Sequence, residues 1–385
     1  MIETKFQNTE VGLIPEDWEA SPLSTIGEVK MCKRILKEQT SISGDIPFFK
    51  IGTFGKEPDA FISRTLYEEY KALYSYPRKG TILISAAGTI GRTVVFDGKD
   101  AYFQDSNIVW IDHKEALVKN PYLEHFFKII QWKSENGGTI SRLYNDNLKS
   151  TFIAYPNEKT EQLRIATALY DIDDLISTTK KLIEKKQNIK QGAMEELLSG
   201  KRKLPGFVEK WIETTVGKIT GKIPRGQTLT SDKFSLGKIP VMAVGKQYAG
   251  FHNVANQKGR TITISGSGAS AGFVYLHDTP IFATDCSVIS DSKTYSLDFL
   301  FYILSAKQED LYKLQTGGAQ PHVYPRDIEN IEIFIPKDIK EQRAIARVLS
   351  DMDSEIQSFE SRLAKYRSLK QGMMQQLLTG KIRLI

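Results

Sequence analysis

The sequence predicts an α+β protein built from two similar globular domains, each followed by a long helix. The two helices are expected to pack as an antiparallel coiled coil, which gives the chain pseudo-two-fold symmetry. Three observations support this fold class: an internal duplication, two stretches of helical apolar spacing, and short β-rich runs before each stretch. The predicted parts are a first domain at 1–157, a central helix at 158–203, a second domain at 204–337 and a distal helix at 338–385.

The duplication is the most informative feature of the chain. Residues 156–204 align without a gap to residues 336–384, and 19 of these 49 positions are identical. The same offset of 180 relates Gly137–Gly138 to Gly317–Gly318 and TILISAAG at Thr81 to TITISGSG at Thr261. A period this long is too large for a solenoid repeat, so the sequence indicates a tandem pair of domains.

Each repeat ends in a predicted long helix. Apolar residues recur at steps of three and four from Ile165 to Leu197 and from Ile345 to Leu377, as along a coiled-coil seam. Gly200 and Gly380 stand where a helix ends, and Asp338 with Glu341 resembles a capping box at the start of the second helix.

Two further positions interrupt each helix pattern at the same register. Lys186 and Lys190 fall on seam positions, and Gly192 and Gly372 weaken otherwise good helix by about 1 kcal/mol each. The repeated glycine indicates either a close approach between helices or a local kink.

The segments before each helix have a mixed α+β pattern. β-rich runs in the first domain lie at Ile46–Ile51, Thr81–Ser85, Thr93–Phe96 and Asn107–Ile111. Those in the second domain lie at Ile239–Val244, Thr261–Ser265, Gly272–Leu276 and Val288–Ser290. Helical patterns occupy Pro121–Ser134 and Leu297–Leu314.

Composition excludes several classes of protein. The chain has 385 residues, of which 41% are hydrophobic and 25% charged, as in ordinary globular proteins. We expect no membrane span and no signal peptide, and two cysteines, Cys32 and Cys286, are too few for a disulfide framework or a zinc cluster. These features predict a cytoplasmic protein. The net charge of +6 is modest, and residues 1–160 carry 20 basic against 21 acidic side chains, so a nucleic-acid-binding role would require a partner.

Catalytic motifs are few and weak. Gly268-Ala-Ser270-Ala-Gly272 matches a nucleophile elbow and Gly266-x-Gly268-x-x-Ala271 resembles a dinucleotide fingerprint, but both motifs require a following helix, and here a β pattern follows. The duplicate copy has Ile90 in place of Ser270, which favours a tight turn. The five histidines show no metal-ligand spacing, and the sequence has no Walker-type loop and no Pro-Pro dipeptide of an amino-methyltransferase motif. We therefore predict no catalytic, cofactor or metal site in this chain, and a binding role.

The residues resemble a known family. PNEKTEQLRIA and PKDIKEQRAIA each close a domain after a Gly-Gly…Tyr segment, and KQGxMxxLLxGK follows in both copies. These motifs, with the GTILISAAGTIG turn, look like those of the specificity subunit of type I restriction–modification systems, over essentially the whole chain. The resemblance implies two target-recognition domains that read a bipartite, asymmetric site on double-stranded DNA, with a spacer set by the helix pair.

The resemblance also implies partners. Two modification subunits would use S-adenosylmethionine to methylate adenine, and restriction subunits would use ATP and Mg²⁺ to translocate and cleave DNA. Partner contacts would use exposed helix faces, where Arg164, Lys180, Lys181 and Lys185 lie off the seam, although such charges are also typical of a solvated helix face.

DNA-contacting residues are expected on loops, where polar and cationic side chains reach groove edges. In the first domain the candidates are Lys33, Arg34, Lys37, Lys50, Thr53, Phe54, Arg92, Gln104, Arg142 and Tyr144. In the second domain they are Lys222, Arg225, Gln227, Lys246, Gln247, Tyr248, Ser267, Gln320, His322, Tyr324 and Arg326. Two alternatives remain open at this point: a structural coiled-coil adaptor without a DNA role, and a hydrolase that uses Ser270.

Overall fold

The computed structural model describes residues 5–130, 132, 143–229 and 237–385. The chain divides into two compact units, one comprising Met1–Thr178 with Leu363–Ile385 and the other Thr179–Arg362. Each unit thus combines a globular part with a portion of both long helices. The predicted four-part domain division is a statement about organisation along the sequence and stays a prediction.

The described residues of the first unit form three sheets and a hairpin, together with short helices. Its strands are β1 (Phe6–Thr9), β2 (Gly12–Pro15), β3 (Trp18–Pro22), β4 (Glu28–Met31), β5 (Ile46–Phe49), β6 (Phe61–Ile62), β7 (Ile82–Ser85), β8 (Thr93–Val95), β9 (Tyr102–Phe103), β10 (Ile108–Asp112) and β11 (Phe152–Pro156). Its short helices are α1 (Leu23–Ile26), α2 (Arg64–Leu73), α3 (Asn120–Phe127) and α4 (Asn145–Lys149), and α5 (Lys159–Leu197) is the first long helix. The strand orders are β4-β10-β7-β8, β6-β5-β9 and β11-β3, with β1-β2 as the hairpin.

The second unit repeats most of this topology. Its strands are β12 (Trp211–Thr215), β13 (Ile239–Met242), β14 (Gly250–His252), β15 (Thr261–Ser265), β16 (Val274–His277), β17 (Phe282–Ala283), β18 (Cys286–Ser290) and β19 (Glu332–Pro336). The helices are α6 (Val216–Thr220), α7 (Leu297–Ala306), α8 (Gln308–Lys313), α9 (Pro325–Glu329) and the second long helix α10 (Ile339–Leu377).

The pairing of strands confirms the duplication. Antiparallel β3–β11 corresponds to β12–β19, and each pair sets a tryptophan opposite a proline: Trp18 faces Pro156, and Trp211 faces Pro336. The parallel pair β5–β9 corresponds to β13–β17, and β10-β7-β8 corresponds to β18-β15-β16. All eight strands predicted from the sequence are present, with ends that differ by two residues or fewer.

The predicted helix patterns are confirmed in part. The pattern at Pro121–Ser134 gives only α3, which ends at Phe127, and residues 131, 133 and 134 lie outside the described residues. The pattern at Leu297–Leu314 is wrong as one helix, because the backbone at Lys307 leaves helical geometry (φ −96°, ψ 20°) and separates α7 from α8.

Apolar side chains of the long helices form the seam that the spacing predicts. Buried seam residues are Ile165, Leu169, Ile172, Ile176, Ile183, Leu197, Ile345, Leu349, Ile356, Leu363 and Leu377. In the first unit, Leu377 packs in the same cluster as Ile165 and Leu169. In the second unit, Leu197 packs in the same cluster as Ile345 and Leu349. The start of each helix therefore packs against the end of the other, as antiparallel helices must.

Ion pairs across the seam repeat between the units. Lys190 Nζ lies 2.5 Å from Asp353 Oδ1 in the second unit, and Lys370 Nζ lies 2.5 Å from Asp173 Oδ1 in the first. These two pairs are related by the offset of 180. A further pair joins Lys186 to Glu355 at 2.7 Å. The seam lysines therefore face carboxylates of the opposite helix, so their charge is compensated where an apolar residue is the usual occupant.

Glycines end both long helices as predicted. Gly200 and Gly380 adopt left-handed backbone angles, with φ of 70° and 68°. At Gly380 an added Cβ would also lie 2.4 Å from the Pro15 ring, so glycine is required for both conformation and space.

Two local predictions for the helices are wrong. The capping box does not form, because Asp338 accepts a hydrogen bond from the Lys340 amide (2.8 Å) while Glu341 turns inward and accepts one from Trp211 Nε1 (3.0 Å). Gly192 and Gly372 mark no close approach between helices, since an added Cβ would meet open space at each; both glycines lie inside continuous helices, and the alternative of a local kink stays a prediction.

Candidate nucleic-acid interface

Backbone hydrogen bonds join four separate segments of the second unit into one surface region, here called its edge. These segments are 222–227, the β15–β16 turn at 266–273, the β17–β18 junction at Asp285, and 320–326. The bonds run from Gly226 N to Cys286 O (2.8 Å), Gly266 N to Asp285 O (3.0 Å), Gly268 N to Pro321 O (2.9 Å) and Val323 N to Gly266 O (3.1 Å). Six side chains from these segments, here named the edge cluster, are Arg225, Ser267, Asp285, His322, Tyr324 and Arg326.

Arg225 is held by a carboxylate within the edge cluster. Its Nη2 donates to Asp285 Oδ1 over 2.6 Å, and the Ser267 hydroxyl donates to Asp285 Oδ2. Asp285 has a φ of +45°, which is uncommon for a residue other than glycine. Strained backbone of this kind persists where the surrounding structure fixes it, and it is concentrated at functional sites.

A stack of rings and a cation forms the other side of the edge cluster. The His322 and Tyr324 rings lie 6.1 Å apart at an interplanar angle of 21°, and the Arg326 guanidinium lies 5.5 Å from the Tyr324 ring centroid. Tyr324 and Arg326 are exposed, and so are Lys222 and Gln320 nearby in sequence. The edge cluster thus places an exposed guanidinium beside an exposed tyrosine ring.

The loop after β13 carries three more predicted contacts. Lys246 lies over the Phe273 ring at 5.4 Å, which links this loop to the β15–β16 turn. The Tyr248 hydroxyl is 3.2 Å from His277 Nδ1, and Gln247 is exposed. Gln227 is also exposed, on the segment that follows Arg225. The structure thus gathers Arg225, Ser267, His322, Tyr324 and Arg326 in one cluster and ties Lys246 to the adjoining turn.

In the first unit, two of the predicted contacts act as supports. Arg92 Nη2 donates to the Ile51 carbonyl (3.1 Å), and Gln104 Oε1 accepts a hydrogen bond from the Ile51 amide (2.9 Å). The Arg92 guanidinium also lies 5.3 Å from the centre of the Phe54 ring. Arg92 and Gln104 therefore hold the loop that follows β5 rather than extend into solvent.

Phe54 and Ser267 require correction as direct contacts. Phe54 is 1% exposed and belongs to the apolar core between β5 and β10, so its ring cannot reach a base in this structure. Ser267 is 2% exposed, and its hydroxyl is engaged by Asp285. Thr53 bonds to the backbone of Lys50, whose ammonium pairs with Asp59 at 2.8 Å.

The other first-unit candidates lie on separate segments. Lys33, Arg34 and Lys37 are exposed, and Lys33 lies 5.0 Å from the Tyr74 ring at the end of α2. Tyr144 is exposed immediately before α4. Arg142, like the Gly137–Gly138 pair, lies outside the described residues.

Each unit has a cation–π contact between a turn and a loop, but the cation and the ring exchange places between the two units. Gly91 N donates to Ser85 O, and Gly272 N donates to Ser265 O, so Arg92 and Phe273 occupy equivalent positions one residue later. In the first unit the turn before β8 supplies the cation, Arg92, and the loop after β5 supplies the ring, Phe54. In the second unit the turn before β16 supplies the ring, Phe273, and Lys246 of the loop after β13 supplies the cation.

Sequence reasoning missed Asp285, Phe273 and Gly266 at this edge. Gly266 belongs to the dinucleotide-like motif and Phe273 directly follows the elbow-like motif, and both motifs resemble catalytic sites rather than DNA contacts. An available signal was the aspartate that follows a short buried strand in both copies, Asp105 and Asp285.

Residues considered for catalysis occupy structural positions. Ser270 lies in a turn followed by β16, which confirms a strand–turn–strand arrangement and contradicts a nucleophile elbow. Cys32 and Cys286 are buried, and burial raises the pKa of each thiol to about 12, which keeps both protonated. Burial also lowers the pKa of His125 and of His277 to about 4, so both imidazoles are neutral at physiological pH.

Within the described ranges, no group of three or more histidine, cysteine or acidic side chains is arranged to hold a metal ion. No helix of those ranges has both the length and the apolar character that membrane crossing requires.

The sequence matches a family model twice. Residues 15–188 and 209–365 match the model described as the type I restriction modification DNA specificity domain. A putative type I restriction enzyme specificity subunit from Haemophilus influenzae is 63% identical over 156 residues, a match that spans 40% of each chain. The putative MjaX specificity subunit of Methanocaldococcus jannaschii is 26% identical, and the alignment spans 99% of this chain and 97% of the relative.

Solved structures share the fold. The S subunit of the type I restriction–modification system of M. genitalium superposes with a TM-score of 0.68 at 19% identity, covering 98% of this chain and 99% of that one. A chain from a study of complex assembly and conformational transition in a type I system superposes with a TM-score of 0.55 at 14% identity, over 96% and 99% of the two chains. Both similarities concern the α+β architecture with its two long helices.

Proposed function

The chain belongs to the family of type I restriction–modification specificity subunits, and on that premise we propose that it reads a bipartite, asymmetric site on double-stranded DNA. Each globular part would read one half-site, and the helix pair would set the number of unread base pairs between them. The chain would direct methylation and restriction that partner subunits carry out, in the cytoplasm. It is a specificity subunit and not a catalytic one.

One observation supports this proposal most strongly: the two units share their strand pairing but carry different side chains at equivalent positions. The two units repeat their strand pairing, yet the cation–π contact that holds the loop is reversed between Phe54–Arg92 and Lys246–Phe273. Base readout depends on the identity of a few side chains at groove edges. The shared strand pairing together with these different side chains therefore supports two different half-sites.

Partner subunits would supply the chemistry. Two modification subunits would bind S-adenosylmethionine, extrude the target adenine and methylate it, and restriction subunits would use ATP and Mg²⁺. The near-neutral first domain supports this division of labour, because a partner would provide much of the positive field that holds phosphates. Arg164, Lys180, Lys181 and Lys185 are all exposed on α5 and are available to such a partner.

A domain exchange tests the proposal. Residues 1–157 would be replaced by the matching domain of another specificity subunit, and the full chain would be expressed with its modification subunits. Methylated sites would be mapped by long-read sequencing. We expect one half-site to change while the other half-site and the spacer remain.

Two results would contradict the proposal. A change in both half-sites would show that the units do not read DNA independently. An absence of any specific site in the unexchanged complex would favour a structural adaptor.

A further inference from the structure

The guanidinium of Arg225 is fixed in place more tightly than an exposed arginine normally is. The backbone of Arg225 forms a β-bridge with Ser287, and the bond from Gly226 N to Cys286 O secures the same stretch. Asp285, which accepts from Nη2, immediately precedes this stretch of β18. The backbones of Arg225 and Asp285 are therefore both held by the same short stretch of β-sheet pairing.

Ser267 and Gly266 also help to fix the Arg225 guanidinium in place. Ser267 donates to the carboxylate oxygen that Arg225 does not use, which fixes the plane of the Asp285 carboxylate. Gly266 leaves room for the guanidinium: an added Cβ there would lie 3.2 Å from Arg225 Nη2 and 2.8 Å from the Asp285 carbonyl oxygen. A larger residue at 266 would displace the pair.

Stability alone is a weak reason for this arrangement. The Arg225 and Asp285 side chains are 44% and 39% exposed, and ion pairs of that exposure contribute little to folding. The arrangement does orient the Arg225 guanidinium. A guanidinium has five N–H donors in a planar fork, and the contact with Asp285 uses one of them, which leaves further donors on a half-exposed side chain.

We propose that Arg225 reads a guanine in the half-site of the second domain, and that Asp285 and Ser267 are positioning residues for its guanidinium. This inference rests on the function proposed above. Paired donors of arginine match the O6 and N7 acceptors of guanine in the major groove, and this is the commonest specific contact of an arginine with a base. Preorganisation reduces the rotamer entropy that a long side chain loses on binding.

The first unit lacks the equivalent reader. Ile84 and Ile264 are equivalent, and they pair with Val109 and Ser287 respectively. Val109 in turn pairs with Met31, as Ser287 bridges to Arg225, so Met31 occupies the position of Arg225. A methionine cannot donate to guanine, so this particular guanine contact has no counterpart at the equivalent position of the first unit.

Arg326 is a matched control on the same edge. It is exposed and lies on the Tyr324 ring, and its contact with Asp327 is long, at 3.8 Å. An exposed cation without a close carboxylate among the described residues suits a backbone phosphate, a contact that positions the protein without reporting the base sequence. Arg326→Ala should therefore weaken binding to all sequences alike and reduce the salt dependence of binding.

The test uses the full chain assembled with its modification subunits and a pool of duplex DNA randomised across the recognition site. Bound duplexes are sequenced to give the preference at each base pair. For wild type we expect one G·C pair in the second half-site with about 10- to 100-fold preference over other pairs. Arg225→Ala and Asp285→Asn should reduce that preference to about threefold or less, with every position of the first half-site unchanged. Arg225→Lys, which keeps the charge but not the fork, should retain affinity and lose most of the preference.

The outcomes separate this inference from the function on which it rests. If wild type selects a bipartite site and Arg225→Ala keeps the full preference at every position, the inference is overturned while the proposed function stands. If wild type selects no site at all, the proposed function itself is contradicted. A thermal melt equal to wild type for Arg225→Lys ensures that a lost preference reflects readout and not unfolding.

Discussion

Arg383, in the first unit, makes four hydrogen bonds to two carboxylates. Its guanidinium donates to Asp17 over 2.6 and 2.8 Å and to Glu161, at the start of α5, over 2.7 and 2.8 Å. It also lies 5.7 Å from the Trp18 ring. The Arg383 and Glu161 side chains are only 12% and 4% exposed, so replacing Arg383 by alanine leaves a buried carboxylate without its cation.

The expected cost follows from that burial. Breaking a buried ion pair by removing one partner costs about 3–5 kcal/mol. Asp17 is mostly exposed and adds little to this sum. For a unit of this size each kcal/mol lowers the melting temperature by about 2–4 °C, so we expect Arg383→Ala to lower it by about 10 °C. The guanidinium also lowers the pKa of Asp17, so the contribution of this carboxylate is present above its unfolded pKa and is lost as the pH falls below about 4.

Calorimetry of the full chain measures the effect, and the duplication supplies a matched control. Lys203 is the equivalent residue 180 positions earlier, but it is exposed, and within the part of the chain that the structure describes its ammonium donates to the Glu209 carbonyl alone. Lys203→Ala should therefore shift the melting temperature by about 1 °C or less. The double variant Arg383→Met with Glu161→Gln should recover at least half of the loss, because it removes the buried charge. Equal shifts for Arg383→Ala and Lys203→Ala, or no recovery in the double variant, would refute the reasoning.

Three further predictions concern other parts of the chain. Gly192→Ala and Gly372→Ala each meet open space, so each should stabilise the protein by up to about 1 kcal/mol in urea unfolding, and a loss of stability would contradict the account. His125 is buried, neither ring nitrogen has a hydrogen-bond partner among the described residues, and burial lowers its pKa to about 4; stability should therefore fall as the pH drops from about 6.5 towards 4. His125→Phe should flatten that part of the pH profile by up to about 3 kcal/mol, and an unchanged slope in denaturation at pH 5 and 7 would exclude His125 as the cause. Ser270→Ala should leave both the DNA preference and the melting temperature unchanged, whereas loss of a hydrolytic activity would restore the discarded hydrolase interpretation.

Features that depend on periodicity were predictable from the sequence. The seam from Ile165 to Leu197, the duplication and the eight strands each recur along the chain, and burial of a periodic apolar face is a strong local signal. Gly200 and Gly380 were predictable for a similar reason, because a helix end with left-handed geometry favours one residue type.

Features that depend on tertiary partners were not predictable. Glu341 has the spacing of a capping-box residue, yet its carboxylate turns to Trp211, which is 130 positions away in sequence. Phe54 follows a β-strand among polar residues and looked like a surface contact, but the guanidinium of Arg92 and the core together enclose its ring. Asp285 gained its role only when the fold brought Arg225 and Ser267 to it.

The most direct test of the central proposal is a methylation map of a genome that carries this chain with its modification subunits. We expect one motif with two unlike half-sites, separated by a fixed run of base pairs at which any base is accepted. A single continuous motif, or two identical half-sites, would contradict the view that the two edges of the chain read different sequences.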